Sequence, residues 1–499
     1  MFLKAGAVSL ALLLASRLLG LVRESAQAAA FGTSGLADVV VLMLTLPDWL
    51  AGVLASGALA YVLVPAWAGQ TAVQVKASQR RVALWLLAGG AAGALGLIAL
   101  RQPAVAWLAG GLPLALRPLA SQALVWSALA LPLALLASLW ATRLQHERDF
   151  LGLYAANLVV NGVLIAAIAF TALQAGAASA VLWLGLGLLA AMGLRLIWLW
   201  RRQTRQAAPL PLPSPTAVDA APAMLPPVPV WLWAVLSAGL PLALPFAARS
   251  VASQAGEGGL STFNYAWKLV ELPLLLAIQL VATLAFPAIA RAFSQRAAPG
   301  TAADRAAPVR SAFALAWTLA CAAAAALLVG AAALAELLFG WGRMEAAALA
   351  RVAQWGAVAA WGLLPQALIA VALTVLAAQA RLRAAVAGYV LALAALLGAA
   401  AWGVNDGVAL MRLLNALFAA VALMTVAALG AQWHRWLPWR AMSLSLAGLL
   451  VVAGVVSGDG ASAASLGMVG GLTAALFAAG LIVAATWLGS SELRQALWR

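Results

Sequence analysis

The sequence predicts an all-α polytopic membrane protein of about fourteen transmembrane helices, built as two pseudo-symmetric six-helix lobes plus two C-terminal helices. Three observations predict it. The 499 residues are 66% hydrophobic and 9% charged, with a mean hydropathy of +1.01, a composition outside the soluble range. Runs long enough to span a bilayer, about 20 mostly apolar residues, recur along the whole chain. One long polar break, "RRQTRQAAPLPLPSPTAVDAAPAMLPPVPV", leaves six runs before it and eight after.

In order, the expected spans lie near residues 5–30, 36–66, 82–100, 119–142, 151–172 and 177–200, then 229–255, 259–290, 311–337, 352–378, 384–402 and 407–430, and last 441–457 and 465–488. The first run, "MFLKAGAVSLALLLAS", has the basic start of a signal peptide. It lacks a small-residue cleavage site before the helix continues, so it reads as a retained first span. The division expected is an N-terminal lobe over 1–200, a Pro-rich cytoplasmic linker over 201–228, a C-terminal lobe over 229–430 and a final segment over 431–499.

The net charge of +15 is unevenly placed. With an even number of spans both termini share one side, and 19 of the 29 Lys and Arg fall there, against five at the opposite face, counting Arg412 near the start of its span, and five deeper within spans. That asymmetry places the termini in the cytoplasm and assigns the surplus charge to orientation, not to nucleic acid. The single cysteine, Cys321, sits in an apolar run, so no intrachain disulfide or metal motif forms around it.

The two halves share a spacing. Arg23 precedes Pro47 by 24 residues, and Arg249 precedes Pro273 by the same interval. Each segment reads helix, short Gly/Ser turn, helix, and a further proline follows at Pro65 and Pro287. Span one is thereby paired with span seven, and span two with span eight, as in a two-lobed transporter.

A charge at mid-bilayer costs at least about 2.5–3.5 kcal/mol, so the polar residues inside spans carry the functional argument. On span one, Ser16, Gly20, Arg23 and Gln27 fall on one helical stripe, and Arg17 with Glu24 on another. This broad polar face must look at other helices or at a water-filled cavity. Arg17 and Glu24, two turns apart, offer an internal pair. Span eight carries Asn264, Lys268 and Glu271 on one stripe, where Lys268 and Glu271 also offer an i,i+3 pair. Arg23, Arg249 and Lys268 all lie roughly 9–14 Å below the outer end of their spans, which points to a cationic cavity for an anionic substrate. Asp38 opens span two, either as a helix cap or as a functional charge. Asp48 follows Pro47 at mid-span, Arg195 reads as snorkelling from the inner end of span six, and His146 and His434 read as solvated loop residues. No Walker loop, metal-ligand spacing or Gly-x-Ser-x-Gly is present, so no enzyme activity, cofactor or metal is expected.

"SRLLGLVRESAQAAAFGTSGLAD", followed by "LTLPDWLAGVLASGALAYVLVPAWA", resembles the start of the MurJ/MviN family, the bacterial lipid II flippases of the multidrug/oligosaccharidyl-lipid/polysaccharide superfamily. "YAWKLVELP" resembles the family's span-eight segment. The resemblance implies a multi-pass protein of the bacterial inner membrane that serves peptidoglycan and cell-wall biogenesis, and with it cell shape. It would move undecaprenyl-pyrophosphate-linked precursor outward by alternating access, driven by the membrane potential or an ion gradient. It also implies that Arg17 and Arg23 attract the pyrophosphate, that Asp38 is a charge needed in the cycle, and that spans thirteen and fourteen form a groove for the lipid tail. Lys268 stands where the family has arginine, and Ala51, Gly52 and Ser56 stand where it has an arginine pair and an acidic residue. The carboxylates by which some members bind sodium are missing from spans seven and eleven.

The candidate substrate-binding residues are therefore Ser16, Arg17, Arg23, Glu24, Asp38, Arg249, Lys268 and Glu271. The expected partners are a lipid-linked glycan, membrane lipids and envelope-synthesis proteins, with no nucleic acid. Two other readings stay open: a flippase for another polyprenyl-linked glycan, such as a capsule, exopolysaccharide or O-antigen unit, or a drug antiporter; and a non-transporting scaffold paralogue.

Overall fold

In the computed structural model, residues 2–68, 70–174, 176–206, 225–293, 302–379, 381–431, 433–458 and 467–498 are described, and no β-strand occurs among them. Among the described residues, twelve helices are long and apolar enough to cross a membrane. Helix α1 (Phe2–Phe31) and the interrupted helix from Gly259 to Phe293 complete a set of fourteen. The linker expected over 201–228 lies mostly at 207–224, outside the described residues. Its first six residues are helical. They extend α8 (Ala177–Gln206), where the positive charges of Arg201, Arg202 and Arg205 suit the negative end of the helix dipole.

The chain divides into two compact units, residues 1–246 with 256–260, and residues 247–255 with 261–499. In the first, α2 (Gly35–Val53) passes through a π-helical turn at Leu54–Ala58 into α3 (Leu59–Ala68). It is followed by α4 (Ala72–Ala99), the short α5 (Arg101–Leu108), α6 (Arg117–His146), α7 (Phe150–Ala172) and α8. Most of α9 (Val228–Ala252) also belongs here.

Pro47 shows how this unit settles its polar backbone. A proline lacks the N–H that would bond the carbonyl four residues earlier, that of Met43. Ser127 on α6 donates its hydroxyl to that carbonyl, so the broken rung is replaced by a bond between helices. Ser34 caps α2 through the Ala37 N–H at 3.3 Å.

In the second unit, α10 (Gly259–Pro273) passes through a π-helical turn at Leu274–Ile278 into α11 (Gln279–Phe293). The pattern of helix, π turn and helix, flanked by Pro47 and Pro65 in one unit and by Pro273 and Pro287 in the other, adds a structural landmark to the repeat. The long α12 (Ala302–Phe339) lies at the centre of this unit. The others are α13 (Ala346–Ala359), α14 (Leu363–Ala378), α15 (Arg383–Ala401), α16 (Gly407–Ala427), the single turn α17 (Trp433–Trp436), α18 (Trp439–Gly458), α19 (Gly467–Gly489) and α20 (Ser491–Trp498).

Lipid offers no hydrophobic drive for helix association, so close backbone approach through small residues replaces it. Gly330 of α12 and Gly471 of α19 show the fit. A Cβ on Gly330 would lie 2.6 Å from that of Ala475, and one on Gly471 2.8 Å from that of Ala333. Cys321, on the same α12, is fully buried.

Candidate functional site

Span one delivers its polar stripe into the first unit. Ser16, Arg23, Glu24 and Gln27 are all buried along α1. Arg23 lies eight residues from the end of α1, roughly 12 Å below it. Its guanidinium forks between two carboxylates, Glu24 at 2.8 Å and Asp48 of α2 at 3.0 Å. A planar fork of donors is the group that can serve two acceptors at once. The Arg23 side chain is 11% exposed, whereas that of Asp48 is 39% exposed, so the carboxylate end of this pair is open.

Glu24 engages Arg23, its neighbour, and not Arg17, the partner that the two-turn spacing offered. Arg17 is exposed and acts electrostatically on Tyr154 of α7, the helix against which α1 packs. The side-chain amide of Asn161, also on α7, donates to the backbone carbonyl of Ser16 at 3.5 Å.

Asp38 is not the cap of α2, since Ser34 fills that role. It is 1% exposed, and its Oδ2 accepts the Gly258 N–H at 2.8 Å. Glu257 completes the arrangement by accepting the Gly35 N–H at 2.8 Å. The turn at 256–260 and the first turn of α2 are thus tied by two carboxylate-to-amide bonds running in opposite senses. Gly258 sits at φ +78°, and a Cβ there would meet the Thr33 carbonyl oxygen, so only glycine permits this approach.

In the second unit Lys268 and Glu271 form the i,i+3 pair, at 2.6 Å. Their side chains are 22% and 28% exposed. Asn264 on the same stripe is buried, and Arg249 is half-buried near the end of α9. Among the described residues no cluster of three or more His, Cys, Asp or Glu converges.

Two sequence readings need correction. Arg195 does not snorkel: it is buried at 8% exposure, because α8 continues to Gln206 and leaves the residue roughly 17 Å from that end. His146 is not a free loop residue, since its ring packs edge-on against Trp67 at 5.6 Å. Sequence reasoning also missed Asp48 as the partner of Arg23. The signal was there, a carboxylate beside a mid-span proline, but which neighbour it would meet depends on how α1 rotates against α2.

The described residues thus form a helical bundle with buried arginines and carboxylates in its membrane-spanning helices. The family profile described as MurJ, lipid II flippase, matches residues 27–477. The chain belongs to the MurJ family. Among solved structures, one described as lipid II flippase MurJ in an inward closed conformation is similar over 99% of this chain and 100% of its own, with TM-score 0.76 at 12% identity. An inward-facing multidrug resistance MATE family transporter of the MOP superfamily is similar over 88% of this chain and 96% of its own, with TM-score 0.61 at 13% identity. A Vibrio cholerae MATE transporter in the bent form reaches TM-score 0.51 at 14% identity, over 90% of this chain and 99% of its own. No curated protein matches the chain. The MurJ fold, the multi-pass membrane character and the place among transporter families follow from these likenesses.

Proposed function

We propose that this MurJ-family protein flips an undecaprenyl-pyrophosphate-linked peptidoglycan precursor, lipid II, from the inner to the outer leaflet by alternating access. The observation that carries this reading is Arg23, a guanidinium buried in a membrane-spanning helix and held ready by Glu24 and Asp48. A diphosphate headgroup offers the oxygen geometry that such a fork recognises. Arg17, exposed and in no ion pair among the described residues, supplies a further cation on the same helix. The second unit carries candidate charges of its own, Arg249, Lys268 and Glu271, with Lys268 a point charge steadied by Glu271. With cytoplasmic termini, a membrane potential of about 100 mV is worth about 2.3 kcal/mol per charge moved across it, enough to bias the cycle. Lipid tails and envelope-synthesis proteins are its expected partners, and the protein acts in the bacterial inner membrane without a cofactor.

One observation favours a second reading within the same class, a flippase for another polyprenyl-linked glycan. Ala51 is buried, and a Cβ added to Gly52 would lie 3.5 Å from the Leu242 side chain, so the span-two positions where arginines would stand face apolar neighbours. Complementation of a strain depleted of its lipid II flippase tests the first reading. Growth restored by the wild type and lost in Arg23→Ala at equal membrane abundance supports it. A wild type that never complements, yet co-purifies with a different polyprenyl-linked glycan by native mass spectrometry, supports the second.

A further inference from the structure

The large majority of buried polar groups are satisfied, so a set of orphans on neighbouring helices calls for an explanation. On α1, α2 and α8 the buried side-chain atoms without a hydrogen-bond partner are Arg23 Nε, Gln27 Nε2, Trp49 Nε1 and Arg195 Nε, among the described residues. All four are nitrogens of donor groups. Helix α2 packs against both α1 and α8, which places these donors on adjoining elements of one unit.

Arg195 is the least explained of them. It has no ion pair or hydrogen bond among the described residues, and Asp48 is the charge that acts on it. Consecutive spans alternate in direction, so α2 and α8 run the same way. Asp48 lies 13 residues into α2, roughly 20 Å along it, and Arg195 lies 18 residues into α8, roughly 27 Å. Helical side chains lean toward their own N-terminus, which carries the long Arg195 side chain back toward the level of Asp48. One half-open carboxylate is therefore bonded to Arg23 and stands on the helix packed beside Arg195, within electrostatic reach of it.

We propose that Arg195 is a further substrate-binding residue, that it and Arg23 together hold the diphosphate of the prenyl-linked substrate, and that Asp48 occupies this place until the substrate displaces it. The inference rests on the flippase reading above and names the residues of its headgroup site. A single carboxylate carries one charge and leaves donors idle. A diphosphate brings at least two charges and more acceptor oxygens, so the exchange fits a site in donor excess. Arg195 also offers a cation on span six, in a chain that has Ala51 and Gly52 on span two.

The test is binding of farnesyl diphosphate, with farnesyl monophosphate as control, to the purified full-length protein in nanodiscs. The wild type is expected to prefer the diphosphate. Arg195→Gln should weaken diphosphate binding about tenfold or more, and Arg195→Lys should recover part of the loss. Asp48→Asn removes the competing charge and should tighten binding severalfold; because Asp48 is partly exposed, this variant also answers if Arg195→Gln folds poorly. Unchanged affinity in a folded Arg195→Gln, or weaker binding in Asp48→Asn, overturns the proposal while leaving the flippase reading intact. A wild type that binds no prenyl diphosphate overturns the flippase reading itself, and the site with it.

Discussion

Asp38 Oδ2 accepts the Gly258 N–H at 2.8 Å, joining the first turn of α2 to a turn 220 residues later in the chain. Its mate, Glu257 to the Gly35 N–H, makes the junction reciprocal. A buried bond to a charged acceptor contributes about 1.5–3 kcal/mol. Asp38→Ala should therefore raise amide hydrogen exchange across residues 256–260, with Asp38→Asn in between. Gly258→Ala should act more strongly, since its Cβ would collide with the Thr33 carbonyl oxygen. Unchanged protection in all three variants would show that the junction does not hold the turn.

Arg23 serves two carboxylates at once, and a lysine in its place has no fork with which to do so. Removing one partner from a buried ion pair costs about 3–5 kcal/mol. Arg23→Ala should abolish complementation and lower thermal stability, while Arg23→Lys should keep most of the stability and only part of the activity. Growth assays alongside melting curves separate the two effects, and full activity in Arg23→Lys would exclude a requirement for the fork.

Ser127 replaces the rung that Pro47 removes, by donating to the Met43 carbonyl. Ser127→Ala leaves that buried carbonyl without this bond, a loss of about 1–3 kcal/mol. The double variant Ser127→Ala with Pro47→Ala should be less damaged than Ser127→Ala alone, because the restored N–H can bond Met43 again. Thermal unfolding in detergent measures both, and additive losses would count against the compensation.

Gly330 lets α12 and α19 approach more closely than a side chain at this position would allow. Gly330→Leu inserts a bulky group where a Cβ alone would lie 2.6 Å from the Ala475 Cβ. Overpacking of this kind costs about 1–3 kcal/mol. Separation of α19 should appear as faster proteolysis of the C-terminal segment, and unaltered cleavage would show that the interface accommodates the added bulk.

Lys268 and Glu271 lie one helical turn apart and pair at 2.6 Å. If Glu271 only steadies the cation, Lys268→Arg should retain or improve transport and Lys268→Ala should lose it, whereas Glu271→Gln should lower activity by a smaller factor. Flippase assays in vesicles at constant membrane potential give the ranking, and a Lys268→Ala variant as active as the wild type would remove this residue from the site.

Much of the architecture was legible in the sequence because bilayer thickness translates directly into run length. The number of spans, the turn between Phe31 and Gly35 and the repeat marked by Pro47 and Pro273 needed only one-dimensional spacing. The i,i+3 pair of Lys268 and Glu271 was equally local, since helix geometry alone sets that distance. The limits appear where a helix outlasts its apolar run. Arg195 looked terminal because hydrophobicity falls at Arg201, yet backbone hydrogen bonding carries α8 on to Gln206.

What the sequence determined by itself is that this is a polytopic helical membrane protein whose first span carries charges that lipid cannot receive. Which groups receive them was decided only by the tertiary structure. Arg23 turned to Asp48, Asp38 to Gly258 and Ser127 to Met43, contacts that depend on how one element rotates and approaches another. Helical periodicity states which residues share a face, but the neighbour opposite that face is chosen by packing, where small residues allow close approach and each buried polar group must find a partner.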